Sequence, residues 1–597
     1  MNKFWSSFFG SALGSFIAIG AAGLLSFVIF IGIIGSLAKS AGGEGESEAL
    51  KENSVLHLKL DYPVTERTNE DPFANFSPMN FSTDRKSGLN DLLICLKSAK
   101  TDDKIKGVYL DFDAVEMGAA SAEELRLAIK DFRSSGKFVY SYSENLSQKA
   151  YYLASAGDKV YIDPMGGIEF KGLSAGFMSF KAAMDKVGLK AVILRPDSNK
   201  FKSAVEPFFL EKMSPENRSQ TSLYIHSVWN DMLAKISESR KTTAAKLNEV
   251  ADNLSAYDSE GAISLGLIDK AAFKDEFWKD VKAKLGVEEK SKINFVKPER
   301  YITRARELTG KKSDKKIAVL YAVGSIVNGK GDGSNIGSTS MAENLKKIRE
   351  DESIKALVLR INSPGGSAQA SEIIWHEIEL TKAKMPVIVS MGDYAASGGY
   401  YIASNADTIV ADNTTLTGSI GVFGLLVNTK TLFETNIGLK TDTVNTNRNA
   451  DFYNTNRDMS AVEHTILTKS VNKTYQTFLK RVADGRKKSV ADVDKIAQGR
   501  IWSGVSAKEL GLVDVLGGFD VALEIAAKKA GLSEYEIVEY PKQENTLEKL
   551  FNKKTDEVVE RVATNYLGEH YKMIISVKNM EMKNGVQARL PYSLEVR

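Results

Sequence analysis

Short apolar runs alternate with amphipathic stretches along most of the chain. The runs that predict β-strands are 55–60, 107–110 and 138–142 in the first half, and 317–323, 356–361 and 387–391 in the second. Patterns with helical spacing follow at 122–132 and 371–381, and a short helix is expected around each Tyr-Tyr pair. Alternating strands and helices are typical of parallel βαβ units. The pattern therefore predicts an α/β fold.

Two longer helices are predicted from the residues that would begin them. Ser214 precedes Pro215, which gives an N-cap followed by proline at the first helical position. Ser460 is followed three residues later by Glu463, which is the spacing of a capping box. The two signals lie at similar positions, one late in the first half of the chain and one late in the second half, so the two halves match here.

The two halves are copies of one domain. Residues 104–110 align with 353–359, and residues 151–155 align with 400–404, at an offset of about 250 residues that persists over many elements. The predicted organisation is an N-terminal anchor (1–40), a first copy (53–285), a linker with a short helix near residue 305 (286–315), a second copy (316–535) and a C-terminal extension (536–597).

The N-terminal segment predicts a membrane anchor. Residues 4–38 contain no charged side chain, and this stretch exceeds the roughly 20 residues that a helix needs to cross a bilayer. A secretory signal peptide has a shorter apolar region, so we expect an uncleaved span, with cleavage after residues 36–38 as the alternative. The flanking charges favour a cytoplasmic N-terminus and an exported body.

Composition limits the chemistry of this 597-residue chain. Lys and Arg number 79 and Asp and Glu 76, and such a balance disfavours a nucleic-acid partner. One cysteine allows no intramolecular disulfide and no Cys-rich metal site, and none of the five histidines has metal-ligand spacing to another. We therefore expect no metal site, and chemistry carried by Ser, Lys, Asp, Glu or a cofactor. Together with the motifs described below, the expectation is that no cofactor takes part.

The chemistry is sought where the two copies differ. Ser397 lies at a predicted strand-to-helix turn crowded with small residues, and the first copy has Gln148 there. Such a serine is a candidate nucleophile, and a packing turn or a helix N-cap is the alternative. Gly365 and Gly366 follow another strand of the second copy, where their amides suit an oxyanion hole or an anion site. A plain Pro-Gly turn remains the other interpretation.

A serine nucleophile needs a base, and the first copy offers a lysine. Lys202 lies among Phe, Val and Ala in the stretch 199–209, whereas the matching stretch 447–451 contains no lysine. Burial disfavours the ammonium form of lysine, so a buried lysine can act as a base. An ordinary surface lysine is the alternative.

With these motifs the chain resembles the long-form bacterial signal peptide peptidase A family, also called protease IV. The resemblance rests on the anchor, the tandem repeat, the motifs around Lys202, Gly365 and Ser397, and the stretch 417–422. It implies tandem ClpP/crotonase-like domains and a serine endopeptidase with a Ser/Lys dyad. It implies Ser397 as the nucleophile, Lys202 as the general base and Ser419 as the hydroxyl that orients the lysine.

The resemblance also implies a setting for this chemistry. It implies a bowl-shaped homotetramer at the bacterial inner membrane, anchored through residues 4–38 by a single span, with its catalytic body facing the periplasm. The implied substrates are apolar remnants of signal peptides after their release by signal peptidase. For the oxyanion hole we expect the amides of Gly365 or Gly366 and of Gly398. A crotonase-like acyl-CoA enzyme and a non-catalytic membrane scaffold are the alternatives.

Overall fold

The structure is a computed structural model. It describes residues 50–69, 76–77, 82–83, 86–310, 312–542 and 586–589. The predicted span at residues 4–38 lies outside these ranges. Among the helices inside them, none combines the length and the apolar character that crossing a bilayer requires.

The first copy is built on a six-stranded parallel sheet with the order β10-β7-β5-β4-β1-β11. Its strands and those near it are β1 (Ser54–Lys59), β2 (Phe76–Ser77), β3 (Ser82–Thr83), β4 (Ile105–Asp111), β5 (Phe138–Ser143), β6 (Leu146–Ser147), β7 (Lys159–Ile162), β8 (Ile168–Glu169), β9 (Lys190–Leu194), β10 (Lys270–Ala271) and β11 (Asn294–Val296). The expected strands at 55–60, 107–110 and 138–142 therefore form adjacent members of one sheet.

Helices connect and cover these strands. They are α1 (Leu89–Thr101), α2 (Ala119–Arg133), α3 (Gln148–Ala154), α4 (Lys181–Val187), α5 (Pro215–Arg240), α6 (Ala244–Asn253), α7 (Ser259–Ser264), α8 (Lys274–Leu285) and α9 (Pro298–Thr309), with a 3-10 turn at Ser203–Phe208. Helix α5 begins where the sequence predicted, because Ser214 Oγ accepts a hydrogen bond from the amide of Asn217.

The second copy repeats this architecture on an eight-stranded sheet whose main path is β21-β19-β17-β15-β12-β23. Its strands are β12 (Lys316–Val323), β13 (Ile326–Val327), β14 (Ile336–Gly337), β15 (Ile354–Ser363), β16 (Gly365–Ser367), β17 (Val387–Ala396), β18 (Thr408–Ala411), β19 (Leu416–Gly418), β20 (Gly424–Asn428), β21 (Ile501–Ser503), β22 (Val515–Leu516) and β23 (Glu536–Tyr540). Strands β12, β15 and β17 are fully buried along most of their length, which explains their continuous apolar runs.

The helices of the second copy occupy matching places. They are α10 (Ser338–Glu350), α11 (Ala368–Lys382), α12 (Gly398–Ala403), α13 (Ala461–Arg486), α14 (Val490–Ile496), α15 (Gly504–Glu509) and α16 (Phe519–Lys529), with a π-helical turn at Thr431–Ile437. The predicted capping box opens α13, since Glu463 accepts from the amide of Ser460 and Ser460 Oγ accepts from the amide of Glu463.

Two segments outside the expected copies join the sheets. Strand β11 and helix α9 lie in the expected linker 286–315, and β11 extends the first sheet beside β1. Strand β23 lies in the expected C-terminal extension and pairs in parallel with β12. In each sheet, the residues that follow the repeated domain therefore add an edge strand. An edge strand needs only one partner strand and a short apolar run, so these segments can form one.

The two copies are joined by backbone pairing as well as by side chains. Strand β9 of the first copy pairs antiparallel with β20 of the second, from Leu194 opposite Gly424 to Lys190 opposite Asn428. This two-stranded ladder is shared between the copies. This pairing fixes the position of the residues that follow β9 relative to the residues that precede β20.

A buried ionic network closes the same interface. Arg360, which is 2% exposed, donates to Glu66 at 2.9 Å and to Glu124 at 2.7 Å, both from the first copy. Asp393 of β17 accepts from the amide of Ser121 at 2.9 Å and from its hydroxyl at 2.7 Å, at the start of helix α2. The second copy thus holds two elements of the first through groups on the strands β15 and β17.

The network gives a prediction about stability. Replacing Arg360 with Ala leaves the carboxylates of Glu66 and Glu124 buried without their cation, so we expect the free energy of unfolding to fall by about 3–5 kcal/mol. Chemical denaturation measures this loss. The matched control is Lys97→Ala, which removes an exposed ion pair between the copies, Lys97 with Asp520 at 3.2 Å, and should cost at most about 1 kcal/mol. Equal losses in the two variants would contradict the prediction.

Candidate active site

Ser397 is placed at the junction of strand β17 and helix α12. Its amide donates to the carbonyl of Gly418 at 2.8 Å, and its own carbonyl accepts from the amide of Tyr401 at 2.8 Å. The serine is therefore tied both to the neighbouring strand β19 and to the first turn of the helix. The side chain of Ser397 is fully buried between the two copies.

The backbone at Ser397 adopts an uncommon conformation. Its φ of 56° and ψ of −115° lie outside the regions that L-residues usually occupy. Such a turn needs small neighbours, and a Cβ on Gly399 would lie 2.7 Å from the carbonyl oxygen of Ser363. Strain of this kind costs about 1–3 kcal/mol and persists only where the surroundings impose it. The small residues noted in the sequence are what permits the turn.

Lys202 comes from the first copy, at the residue that precedes the 3-10 turn Ser203–Phe208. Lys202 follows strand β9, so the pairing of β9 with β20 places it next to the second copy. Its Nζ is 2.7 Å from Ser397 Oγ, 2.9 Å from Ser419 Oγ and 3.0 Å from the carbonyl oxygen of Ser419. The structure thus brings together the three side chains that the sequence singled out.

The surroundings of Lys202 favour its neutral form. Its side chain is fully buried, and burial lowers the pKa of the Lys202 amine well below its ordinary value of 10.5. A neutral amine has two N–H groups and one lone pair. The carbonyl oxygen and the hydroxyl oxygen of Ser419 can accept the two N–H groups, which directs the lone pair at the hydroxyl of Ser397.

The glycine motif lies beside the serine. A Cβ on Gly365 would be 2.7 Å from the amide nitrogen of Gly398, and a Cβ on Gly398 would be 3.1 Å from the amide nitrogen of Gly366. The amide of Gly365 already donates to Ser363 Oγ at 3.1 Å. Of the two adjacent glycines, Gly366 is therefore the one whose amide is better placed to serve a ligand.

The first copy holds a different group at the corresponding place. Gln148, which the sequence aligned with Ser397, begins helix α3 and accepts from the amides of Lys171 at 3.0 Å and Gly172 at 2.9 Å through its side-chain oxygen. Its side-chain nitrogen donates to the carbonyl of Gly172 at 3.1 Å. At the position that corresponds to Ser397, the side-chain amide of Gln148 therefore makes its hydrogen bonds to the backbone of its own copy.

Sequence reasoning missed the residues that hold Lys202 in position. Gln220 of helix α5 donates to the carbonyl of Phe201 at 3.0 Å and accepts from the amide of Ile501 at 3.1 Å, which ties the lysine loop to strand β21. Gly499 has a φ of +82°, and a Cβ there would lie 2.5 Å from the Cβ of Lys202. The only sequence signal was a lone glycine before a short apolar run, and its role depends on contact with the other copy.

Throughout the described ranges, His, Cys, Asp and Glu form no group of three or more that is arranged to hold a metal ion. The site consists of hydroxyls, one amine and backbone amides, which are groups that transfer protons and bind a carbonyl oxygen.

Comparison with known proteins identifies the family of the chain. The model of "Peptidase family S49" matches residues 131–288 and 379–533, and that of "Clp protease" matches residues 309–413. The chain belongs to peptidase family S49. The two segments of the first match fall in the two copies, so the tandem α/β domains are both of this type.

Relatives that align with most of this chain are named as proteases. "Protease 4" of Haemophilus influenzae is 33% identical over 592 residues, covering 95% of this chain and 91% of that protein. "Protease 4" of Salmonella typhi is 34% identical, covering 80% and 78%. "Serine protease SPPA, chloroplastic" of Arabidopsis thaliana is 32% identical, covering 82% and 72%. This chain is accordingly an SppA-type serine peptidase, and neither an acyl-CoA enzyme nor a scaffold.

The packing of Gly499 against Lys202 gives a prediction. Gly499→Ala places a methyl group against the Cβ of Lys202 and should displace the amine, and a misplacement of about 1 Å can cost about 100-fold in rate. Steady-state cleavage of an apolar peptide measures kcat/KM.

The control for this prediction is Gly438→Ala. Gly438 has a φ of +83°, close to that of Gly499, but no atom lies within 4 Å of an added Cβ. Both variants carry left-handed strain of about 1–2 kcal/mol, so any difference in activity between them reports the contact with Lys202. Equal activity in the two variants, with both folded by circular dichroism, would refute the proposed contact.

Proposed function

We propose that the protein is a membrane-anchored serine endopeptidase that uses Ser397 as its nucleophile and Lys202 as its general base. The observation that carries this proposal is the 2.7 Å separation of Lys202 Nζ and Ser397 Oγ inside a fully buried site. Each residue comes from a different copy. Both copies are therefore needed to assemble one site.

The proposed reaction begins with proton transfer from serine to lysine. As Ser397 Oγ attacks a peptide carbonyl carbon, its proton passes to the lone pair of the neutral Lys202 amine. The ammonium formed then gives a proton to the leaving amine, and an ester on Ser397 remains. Water, deprotonated by Lys202, hydrolyses this ester. Ser419 keeps the amine aligned in each step, since its hydroxyl and its carbonyl both accept from Nζ.

The carbonyl oxygen of the substrate becomes negative in the transition state and needs donors. The amide nitrogen of Gly366 lies 3.1 Å from the position that a Cβ on Gly398 would take, and Gly398 directly follows Ser397. We assign the amides of Gly366 and Gly398 the role of the oxyanion hole. The amide of Gly365, which the sequence also suggested, is engaged by Ser363 Oγ. It contributes the positive φ of 96° that turns the next amide towards the site.

We further propose remnants of signal peptides as the substrates. The support is the name of one relative, "Putative signal peptide peptidase SppA" of Enterococcus faecium, 34% identical over 235 residues, together with the apolar segment 4–38. That segment would anchor the chain as a single span in the bacterial inner membrane, with the body on the periplasmic side. A homotetramer with its sites facing a shared interior would exclude folded proteins and admit released, extended peptides.

The proposed dyad predicts the effect of two substitutions. Ser397→Ala removes the nucleophile, and Lys202→Met replaces the amine with an apolar side chain of similar length. Each should lower kcat for cleavage of an apolar signal-peptide remnant by at least about 10⁴-fold. A serine-directed acylating probe should label the wild type at Ser397, label Lys202→Met far more slowly and leave Ser397→Ala unlabelled. Mass spectrometry of the labelled peptide measures this.

The matched control is Lys200→Met. Lys200 lies two residues from Lys202 but is exposed, so this variant should keep its activity and its labelling. Full activity in folded Lys202→Met would eliminate lysine as the base. Labelling at another serine would eliminate Ser397 as the nucleophile.

Burial of the base also predicts a dependence on pH. Lys202 accepts a proton only when neutral, and burial lowers its pKa. Cleavage should therefore increase as pH rises through the lowered pKa of Lys202 and reach its plateau below pH 10.5, the ordinary lysine value. The profile of kcat/KM against pH measures this limb. A profile that still rises at pH 10.5 would contradict a desolvated base.

The lowered pKa of Lys202 also affects the stability of the fold. Between the lowered pKa and 10.5 the unfolded chain binds a proton at Lys202 that the folded chain does not. The free energy of unfolding should therefore rise with pH across this window, and Lys202→Met should lack this contribution.

A further inference from the structure

The turn that leads into strand β19 is held by two helices of the first copy. This turn comprises residues 412–415, and Ser419 directly follows the strand. Thr414 Oγ1 donates to Glu123 of helix α2 at 3.1 Å, and the carbonyl of Thr414 accepts from the hydroxyl of Tyr224 of helix α5 at 3.1 Å. Because β19 is only three residues long, a displacement of this turn would also displace the serine.

Asp412 begins this turn with a carboxyl group that lacks a donor. The residue is 1% exposed, and within the part of the chain that the structure describes neither of its side-chain oxygens accepts a hydrogen bond. The group that lies within hydrogen-bonding reach is the carboxyl of Glu124 in helix α2. A buried acceptor without a donor costs free energy, and a buried charge without a partner costs far more. An ionised Asp412 is therefore disfavoured at this place.

The guanidinium beside these carboxyl groups is already engaged. Arg360 donates to Glu66 at 2.9 Å and to Glu124 at 2.7 Å. Its Nη1 donates to the hydroxyl of Ser390 at 2.9 Å. One cation thus serves two carboxylates, and Asp412 is a third carboxyl group near it. Burial raises the pKa of Asp412 well above 3.8, and the negative charge of Glu124 raises it further.

The remaining charged groups supply no donor to Asp412. Lys235 lies 2.5 Å from Glu123 and 2.6 Å from Asp231, so its charge is shared between those two carboxylates. Helix α15 meets the backbone of Asp412 at Gly504, which has no side chain. Negative charge is therefore in excess, which favours a protonated Asp412. The titratable or charged groups that face Asp412 are Glu123 and Glu124 of α2, Tyr152 of α3 and Arg360 of β15.

We propose that Asp412 is a positioning residue: a neutral acid whose O–H donates to the carboxylate of Glu124, so that one shared proton links helix α2 to the turn before Ser419. This rests on the function proposed above, because the step that it positions is the proton transfer between Ser397 and Lys202. Asp412 acts through the turn and not on the substrate. Its proton keeps Ser419 of the second copy aligned with the lysine of the first.

Loss of this proton would place two carboxylates side by side in a buried interface. Their repulsion would move the turn away from helix α2, and strand β19 would move with it. The carbonyl of Gly418 in this strand accepts from the amide of Ser397 at 2.8 Å, so the nucleophile and the amine would both lose their alignment. Cleavage should therefore rise with pH as Lys202 becomes neutral and fall again once Asp412 ionises.

The first test compares the pH profiles of kcat for the wild type and Asp412→Asn. Asparagine has the shape of aspartate, donates to Glu124 at every pH and does not ionise. The wild type should lose activity on the alkaline side, and the variant should keep it there. Asp412→Ala, which has no donor, should lower kcat by at least about tenfold across the profile, with KM nearly unchanged. An alkaline fall shared by the wild type and Asp412→Asn would overturn the proposal, and so would equal kcat in the Ala and Asn variants.

Stability provides a second test, which needs no peptide. Above pH 3.8, the ordinary aspartate value, the unfolded chain loses the proton of Asp412 while the folded chain keeps it. The folding equilibrium constant of the wild type should therefore fall with pH relative to that of Asp412→Asn, by up to about tenfold per pH unit until the raised pKa is reached. Chemical denaturation over a series of pH values measures this ratio. A ratio that does not change with pH would overturn the proposal.

The matched control for the denaturation series is Asp484→Asn in helix α13, where the carboxyl is exposed. Its folding equilibrium should follow that of the wild type at each pH. A pH-dependent ratio of the same size in this variant would overturn the assignment of the proton to Asp412.

A protonated carboxyl group can also be observed directly by infrared spectroscopy. Its C=O stretch is absent from an ionised carboxylate, so the spectrum of the wild type minus that of Asp412→Asn should contain one such band at mildly acidic pH. A difference spectrum without this band would overturn the proposal. The spectrum and the denaturation series do not depend on cleavage. A failure of the mechanism proposed for Ser397 and Lys202 would leave both as expected, whereas a failure of the shared proton would change both.

Discussion

The buried amine of Lys202 sets the requirement that the rest of the molecule meets. An ammonium group in such a place would pay a large desolvation cost, and the partners of Nζ in the structure are the uncharged oxygens of Ser397 and Ser419. Burial lowers the pKa of Lys202 and so favours the neutral amine. Hydrogen bonds hold this amine in place, and they weaken steeply with distance and angle. The oxygens of Ser397 and Ser419 belong to the second copy and the lysine to the first. The relative position of the two copies must consequently be fixed within about 0.5 Å.

The interface meets this requirement with the same strands that present the site. Strand β15 carries Arg360, which reaches the first copy, and continues towards Gly365 and Gly366. Strand β17 carries Asp393, which holds the start of helix α2, and ends beside Ser397. A displacement of one copy relative to the other would move Arg360 and Asp393 together with the catalytic groups. The buried charges are costly as stabilising groups, and their geometry offers a reason for keeping them, since it specifies one arrangement of the copies.

The sequence predicted the parts of the fold and of the site that are encoded locally. The duplication, the buried strands and the capped helices followed from periodicity and from residues such as Ser214 and Ser460, because each signal lies within a few positions of the element that it forms. Ser397 and Lys202 stood out because the two copies differ there. Gln220 and Gly499 did not, since their roles arise only when helix α5 and strand β21 meet across the interface. The short strands β11, β23 and Gln587–Arg589 were missed for a related reason: they take their conformation from partner strands rather than from a pattern of their own.

The difference between the copies follows from the cost of the buried lysine. Two complete sites would require two desolvated amines, each with its own set of acceptors, in one interface. The first copy instead has Gln148, whose side-chain amide satisfies both its donor and its acceptor with the backbone of residues 171 and 172. At this place the first copy has Gln148 in place of a serine in a strained turn, and a well-satisfied polar group rigidifies its surroundings. A rigid first copy is what the second needs, because the lysine loop is only as well placed as the domain that supports it. One copy thus gains precision as a support, the other keeps the strained turn and the glycine amides beside it, and the chain carries a single site between them.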